Sequence, residues 1–102
     1  MKKYVSRHWD TKIELKNQWF LSLGYGFISE EEPNIHQYYE KDYITNEQLK
    51  ISLDYMAEII NTIGVPQIGS YFYDDASISK IYEIEYRCDS KNLHINLVNQ
   101  DV

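Results

Sequence analysis

Between Thr45 and Gly64 the apolar positions fall on one side of a helix. Leu49, Leu53, Met56, Ile60 and Ile63 recur at steps of four, three, four and three, and Ile59 widens the stripe. Thr45-Asn46-Glu47-Gln48 has the form of a capping box, in which a hydroxyl and an amide satisfy backbone donors of the first turn. Gly64 supplies a left-handed stop and Pro66 prevents resumption. Together these signals predict a helix from Asn46 to about Ile63.

Beyond it the period changes to two. Ile68 to Tyr73 reads as a short extended segment closed by Asp74-Asp75, which favour turns by bonding their own backbone. From Lys80 to Cys88 alternation is strict: Tyr82, Ile84, Tyr86 and Cys88 point towards the core, and Glu83, Glu85 and Arg87 towards water. Asp89-Ser90-Lys91-Asn92 forms a turn, after which Leu93, Ile95 and Leu97 alternate with His94, Asn96 and Val98. The pair reads as a hairpin over about residues 80–98.

The first third carries two patterns. Trp19, Leu21, Leu23, Tyr25 and Phe27 fit a strand, whereas Asp10 could cap a helix over Thr11 to Leu23 that stops at Gly24. Aromatic and β-branched content favours strands; Lys12, Glu14, Leu15 and Lys16 are good helix formers on the other side. Strands are preferred. Ser29 to Tyr43 is polar, contains Pro33 and has no period, as expected of a long surface loop.

A sheet on one main helix, with a hairpin after the helix, makes the expected class α+β: a mainly antiparallel sheet packed against one principal helix (about residues 46–63), with a C-terminal β-hairpin (about 80–98). At 102 residues, 43% of them hydrophobic, there is room for one core, so residues 1–102 read as a single acidic α+β domain. MKK is followed by no apolar stretch, and no run approaches the roughly 20 apolar residues of a membrane span. A cytoplasmic protein with no membrane association is expected. Cys88 is the only cysteine, which rules out an internal disulfide, and its strand position predicts a small buried hydrophobe.

Formal net charge is −6, which disfavours direct binding to nucleic acid. The charge is uneven: residues 1–29 hold five Lys or Arg against two Asp or Glu, and residues 30–85 hold three against twelve. His8, His36 and His94 stand in three unrelated contexts, and neither HExxH nor CxxC occurs, so no metal site and no cofactor are expected. Gly24-Tyr25-Gly26 lacks the helix start and lysine of a phosphate loop and reads as a bulge or a close approach within a strand. No catalytic residue is assigned, and the expectation is a protein without enzymatic activity.

What the chain does offer is carboxylates beside large amphipathic rings. Glu30, Glu31, Glu32, Tyr38, Tyr39, Asp42 and Tyr43 lie in the central loop, and Tyr73, Asp74 and Asp75 repeat the combination. Tyrosine gives broad contact area at small entropic cost, and clustered carboxylates steer a cationic partner. These ten residues are the candidate contacts for a basic protein such as a toxin, nuclease or nucleic-acid-binding enzyme. The leading expectation is a non-enzymatic inhibitor of the immunity-protein or antitoxin type. A phage-encoded inhibitor of a host defence nuclease, anti-CRISPR proteins included, would show the same features. Two rivals remain: a small hydrolase or nuclease assembled from His94, His36 and scattered carboxylates, and an assembly subunit that buries its aromatics in a homo-oligomer.

Overall fold

The computed structural model describes residues 3–29, 45–74 and 78–99. The chain has an α+β fold in which one helix covers one face of a mixed sheet. In chain order the elements are β1 (Lys3–His8), β2 (Ile13–Glu14), β3 (Phe20–Ser29), α1 (Asn46–Ile63), β4 (Tyr71–Tyr73), β5 (Ile78–Arg87) and β6 (Asn92–Asn99). The strands lie in the order β1-β3-β6-β5-β4, and β2 pairs with β3 beyond the end of β1. All pairings are antiparallel except the central one, β3 with β6.

The central pair sets the layers. Leu21, Leu23 and Tyr25 of β3 stand opposite Leu93, Ile95 and Leu97 of β6, and these six are buried together with Leu49, Leu53, Met56, Ala57 and Ile60 of α1. Helix and strands therefore share one core, to which Leu15, Phe72 and Ile81 add their side chains. Trp9, between β1 and β2, packs edge-on against the Tyr25 ring at 6.2 Å.

The helix has the predicted boundaries. Thr45 accepts a hydrogen bond from the Gln48 amide through its hydroxyl, and Gly64 donates its backbone N–H to Ile60 at φ +105°, ψ 179°. That conformation is open to glycine alone, and it turns the chain away from the helix axis rather than into a left-handed coil. Ile63 sits on the expected apolar side but is 82% exposed. Among the described residues no helix is long and apolar enough to cross a membrane.

The alternative helix over Thr11 to Leu23 does not form. β2 and β3 instead make a tight hairpin: Gln18 donates to Leu15, Leu15 to Trp19, and the Asn17 side chain accepts from the Trp19 amide. Gln18 takes the positive φ of 72° that closes the turn. The register through Gly24 and Gly26 is unbroken, so the two glycines mark close packing rather than a bulge. They place no side chain on the face of β3 away from α1, which lets Tyr4 reach across to donate its hydroxyl to the Leu97 carbonyl at 2.8 Å.

The C-terminal hairpin is β5 and β6, joined through residues 88–91. Its strict alternation is interrupted where the register slips between Ile81 and Glu83. Before that bulge Ser79 and Ile81 turn to the core; after it Ile84 and Tyr86 take that side, at its margin. Tyr82, the extra residue, is exposed on one side and stacks on Tyr4 with ring centroids 4.4 Å apart. Cys88 follows the end of β5 and is exposed, not buried, because the strand stops one residue short of it.

Substituting Gly64 by alanine should lower the unfolding free energy by about 1–3 kcal/mol, the cost of forcing a Cβ into that backbone region. Urea denaturation with an unchanged slope would measure it; a loss below about 0.5 kcal/mol would show that the cap relaxes freely.

Candidate functional site

Alternation leads one to expect that the sheet face away from α1 is solvated. On the central strands it is not. Ser22, Asn92, His94 and Asn96 are all buried there, Ser22 and His94 at 2% exposure, and they form a directed chain of hydrogen bonds. The Arg87 guanidinium donates to Asn92 Oδ1 at 3.2 Å, and Asn92 Nδ2 donates to Ser22 Oγ at 3.2 Å and to the Phe20 carbonyl at 3.0 Å. Ser22 Oγ lies 2.6 Å from His94 Nδ1, and His94 Nε2 lies 3.1 Å from Asn96 Oδ1. Because the Asn96 oxygen only accepts, Nε2 carries the proton and the Ser22 hydroxyl donates to Nδ1. Arg87 is itself anchored by Glu85 at 2.7 Å, and that hydrogen bond holds the Glu85 carboxyl below its usual range.

A serine bonded to an imidazole that is oriented by an amide has the order of parts found in a nucleophilic relay. Here the serine also accepts from Asn92 and is enclosed with the ring. An acyl or phosphoryl donor must approach the nucleophile to about 3 Å, and the hydrogen bonds already made by Ser22 occupy that space. The cluster clasps β3 to β6 and β5.

A second polar group lies at the helix side of β3. Ser52 of α1 donates to Asp74 at 2.7 Å, and the Tyr25 hydroxyl is beside Ser52. Burial pushes the Tyr25 phenol far above its ordinary range; the Ser52 hydrogen bond opposes the rise and the Asp74 carboxylate adds to it. Asp74 therefore helps fix the end of β4 to α1.

The open surface is elsewhere. Tyr55, Glu58, Ile59, Thr62 and Ile63 of α1 and Tyr73 of β4 line a shallow depression of about 260 Å³. A second, of about 280 Å³, is lined by Ile51, Asp54, Tyr55 and Glu58. Sharing Tyr55 and Glu58, they form one trough along the flank of the helix. Val65, Ile68 and Tyr71 are exposed as well, and Tyr73 is 66% exposed.

Of the expected contact residues, Tyr73 faces solvent in this trough, and Asp74 is half-buried with its carboxylate bound to Ser52. Glu30, Glu31, Glu32, Tyr38, Tyr39, Asp42, Tyr43 and Asp75 lie outside the described residues, as does His36. Ile51, Asp54, Tyr55 and Glu58 were not anticipated. Their signal was present: Ile51, Tyr55 and Ile59 recur at steps of four, beside the main stripe and distinct from it. Among the described residues no group of three or more His, Cys, Asp or Glu could hold a metal ion.

Two measurements follow from the buried groups. Asn92→Ala should cost about 2–3 kcal/mol, since it leaves Ser22 and the Phe20 carbonyl short of a donor inside the sheet; stability within about 0.5 kcal/mol of the parent would remove the clasp. A raised phenol favours the fold fully below the unfolded-state value of 10, and that contribution is lost as pH rises above it. Tyr25→Phe should therefore flatten the alkaline fall of unfolding free energy above pH 10. Parallel curves for parent and variant would exclude Tyr25 as a source of that fall.

Comparison of the chain with protein-family models, with curated proteins and with solved structures finds no match.

Proposed function

We propose that the chain is a non-enzymatic inhibitor that binds a basic protein through an acidic, tyrosine-rich surface and blocks that protein's active or nucleic-acid-binding site. The observation that carries this reading is the exposed surface between α1 and β4, where Ile51, Tyr55, Ile63 and Tyr73 stand in solvent and line depressions shared with the carboxylates of Asp54 and Glu58. A solvent-facing aromatic and aliphatic patch gains by being covered, and carboxylates around it select a cationic partner. Net charge of −6 acts over longer range to speed the encounter.

In biological terms this is an immunity protein or antitoxin acting in the cytoplasm on a toxin or nuclease. A phage-encoded inhibitor of a host defence nuclease makes the same physical claim with a different target. The rival hydrolase or nuclease built on His94 and His36 needs an imidazole within reach of substrate. His94 instead has both ring nitrogens engaged by Ser22 and Asn96, which favours the binding reading.

The test is association kinetics with the protein captured from the native host. A basic partner is expected, with an association rate that falls steeply with ionic strength. Reversing Glu31 and Asp42 to lysine should slow association by about tenfold at low salt while leaving the melting temperature unchanged. A rate insensitive both to salt and to these reversals would overturn the reading.

A further inference from the structure

We propose that the trough on the flank of α1 receives a basic amphipathic helix of the partner protein. This rests on the protein-binding reading and names the element that is gripped. Ile51, Tyr55 and Ile59 lie one turn apart and form the floor, with Ile59 resting partly on the core. From Ile51 to Thr62 the trough follows the helix for about 16 Å, or three turns of a second helix laid beside it. Tyr73 makes one wall.

Charge selects the occupant. Asp54 and Glu58 line the trough, and among the described residues no lysine or arginine does. Among the described residues, neither carboxylate takes part in an ion pair or hydrogen bond; the ion pair there is Arg87 with Glu85. A lysine or arginine from outside supplies the missing counter-charge, and its aliphatic stem can lie on the tyrosine rings. A second copy of the chain would bring a surface of net charge −6 against the same carboxylates, which costs attraction rather than adding it.

The lining also distinguishes a helix from an added strand. Strand addition uses main-chain N–H and C=O groups along a sheet edge, whereas this trough is walled by side chains from three turns of α1. Recognition is then side chain to side chain, with apolar anchors at i, i+4 and i+7 seated between Ile51 and Ile63, and cations at the flanks over Asp54 and Glu58.

The experiment titrates the isotope-labelled full chain with three synthetic peptides of about 14 residues, long enough to cover the trough. One is an amphipathic helix with leucines at i, i+4 and i+7 flanked by arginine and lysine. The second replaces those cations by glutamate, and the third keeps the basic composition but scrambles the leucines off a common face. The first should shift the methyl resonances of Ile51, Ile59 and Ile63, with the other two binding at least about tenfold more weakly. The double variant Asp54→Lys, Glu58→Lys, whose positions are exposed and bonded to no side chain among the described residues, should weaken the first peptide by about tenfold with an unchanged circular dichroism spectrum.

Equal binding of all three peptides, shifts confined to other residues, or no binding would overturn the proposal. Concentration-dependent dimerisation that the double variant alters would also overturn it, in favour of a second copy in the trough. Applied to the native partner, the same double variant separates the two claims. Salt-dependent association with an unaltered affinity removes the trough but leaves the inhibitor reading intact; absence of any basic partner removes that reading even where the peptide binds.

Discussion

The parallel pairing of β3 with β6 sits at the centre of the sheet, with a strand on either side, and both strands are buried on both faces. Parallel strands in that position are ordinarily aliphatic throughout. This chain meets the demand differently on the two sides. Leu21, Leu23, Leu93, Ile95 and Leu97 fill the surface under α1, and Ser22, Asn92, His94 and Asn96 fill the other. An isolated buried amide or imidazole would cost free energy, but here each member of the row is bonded to the next and the row is anchored at one end by Arg87 and Glu85. Directional bonds of this kind also fix the register, since a slip by one residue would turn the aliphatic side chains of a strand to the face where the polar row now stands.

Around this centre the remaining elements act as braces. Tyr4 spans from the edge strand over the glycines of β3 to the Leu97 carbonyl and meets Tyr82 where β5 bulges. Ser52 and Asp74 tie the short edge strand β4 to the helix, and Asn61 accepts from the Lys16 amide near the β2 hairpin. The helix is held at its middle and near its C-terminal end, and its outward flank is thereby presented as a rigid ridge. A ridge that is already ordered loses little entropy when a partner settles on it.

The helix and the hairpin were legible in the sequence because their signals are local: the Thr45 cap, the step of three and four, the stop at Gly64, the alternation after Lys80. Strands in the first third were also readable, from the alternating aromatic and leucine positions of Trp19 to Phe27. What could not be read is how distant segments meet. Nothing near Leu93 says that it lies beside Leu21, and without that adjacency His94 and Asn96 look like an outward, solvated face. The bulge at Tyr82 likewise shifted which residues of β5 turn inward, so Ile81 is buried while Tyr82 is not. The trough is an intermediate case: Ile51, Tyr55 and Ile59 show a helical period, but only the packing of the helix decides that this stripe stays outside.

The placement of β6 also has a consequence for biosynthesis. Phe20 and Asn92 are partners across 72 positions of sequence, and every other strand of the sheet is translated before the one that belongs in its middle. Until residues 92–99 emerge from the ribosome, the aliphatic inner edge of β3 has no neighbour and α1 has half a floor. Nascent chains that have released β5 but not β6 would offer an open strand edge to any passing polypeptide, so the interval between the two sets how long the molecule is exposed to misassembly.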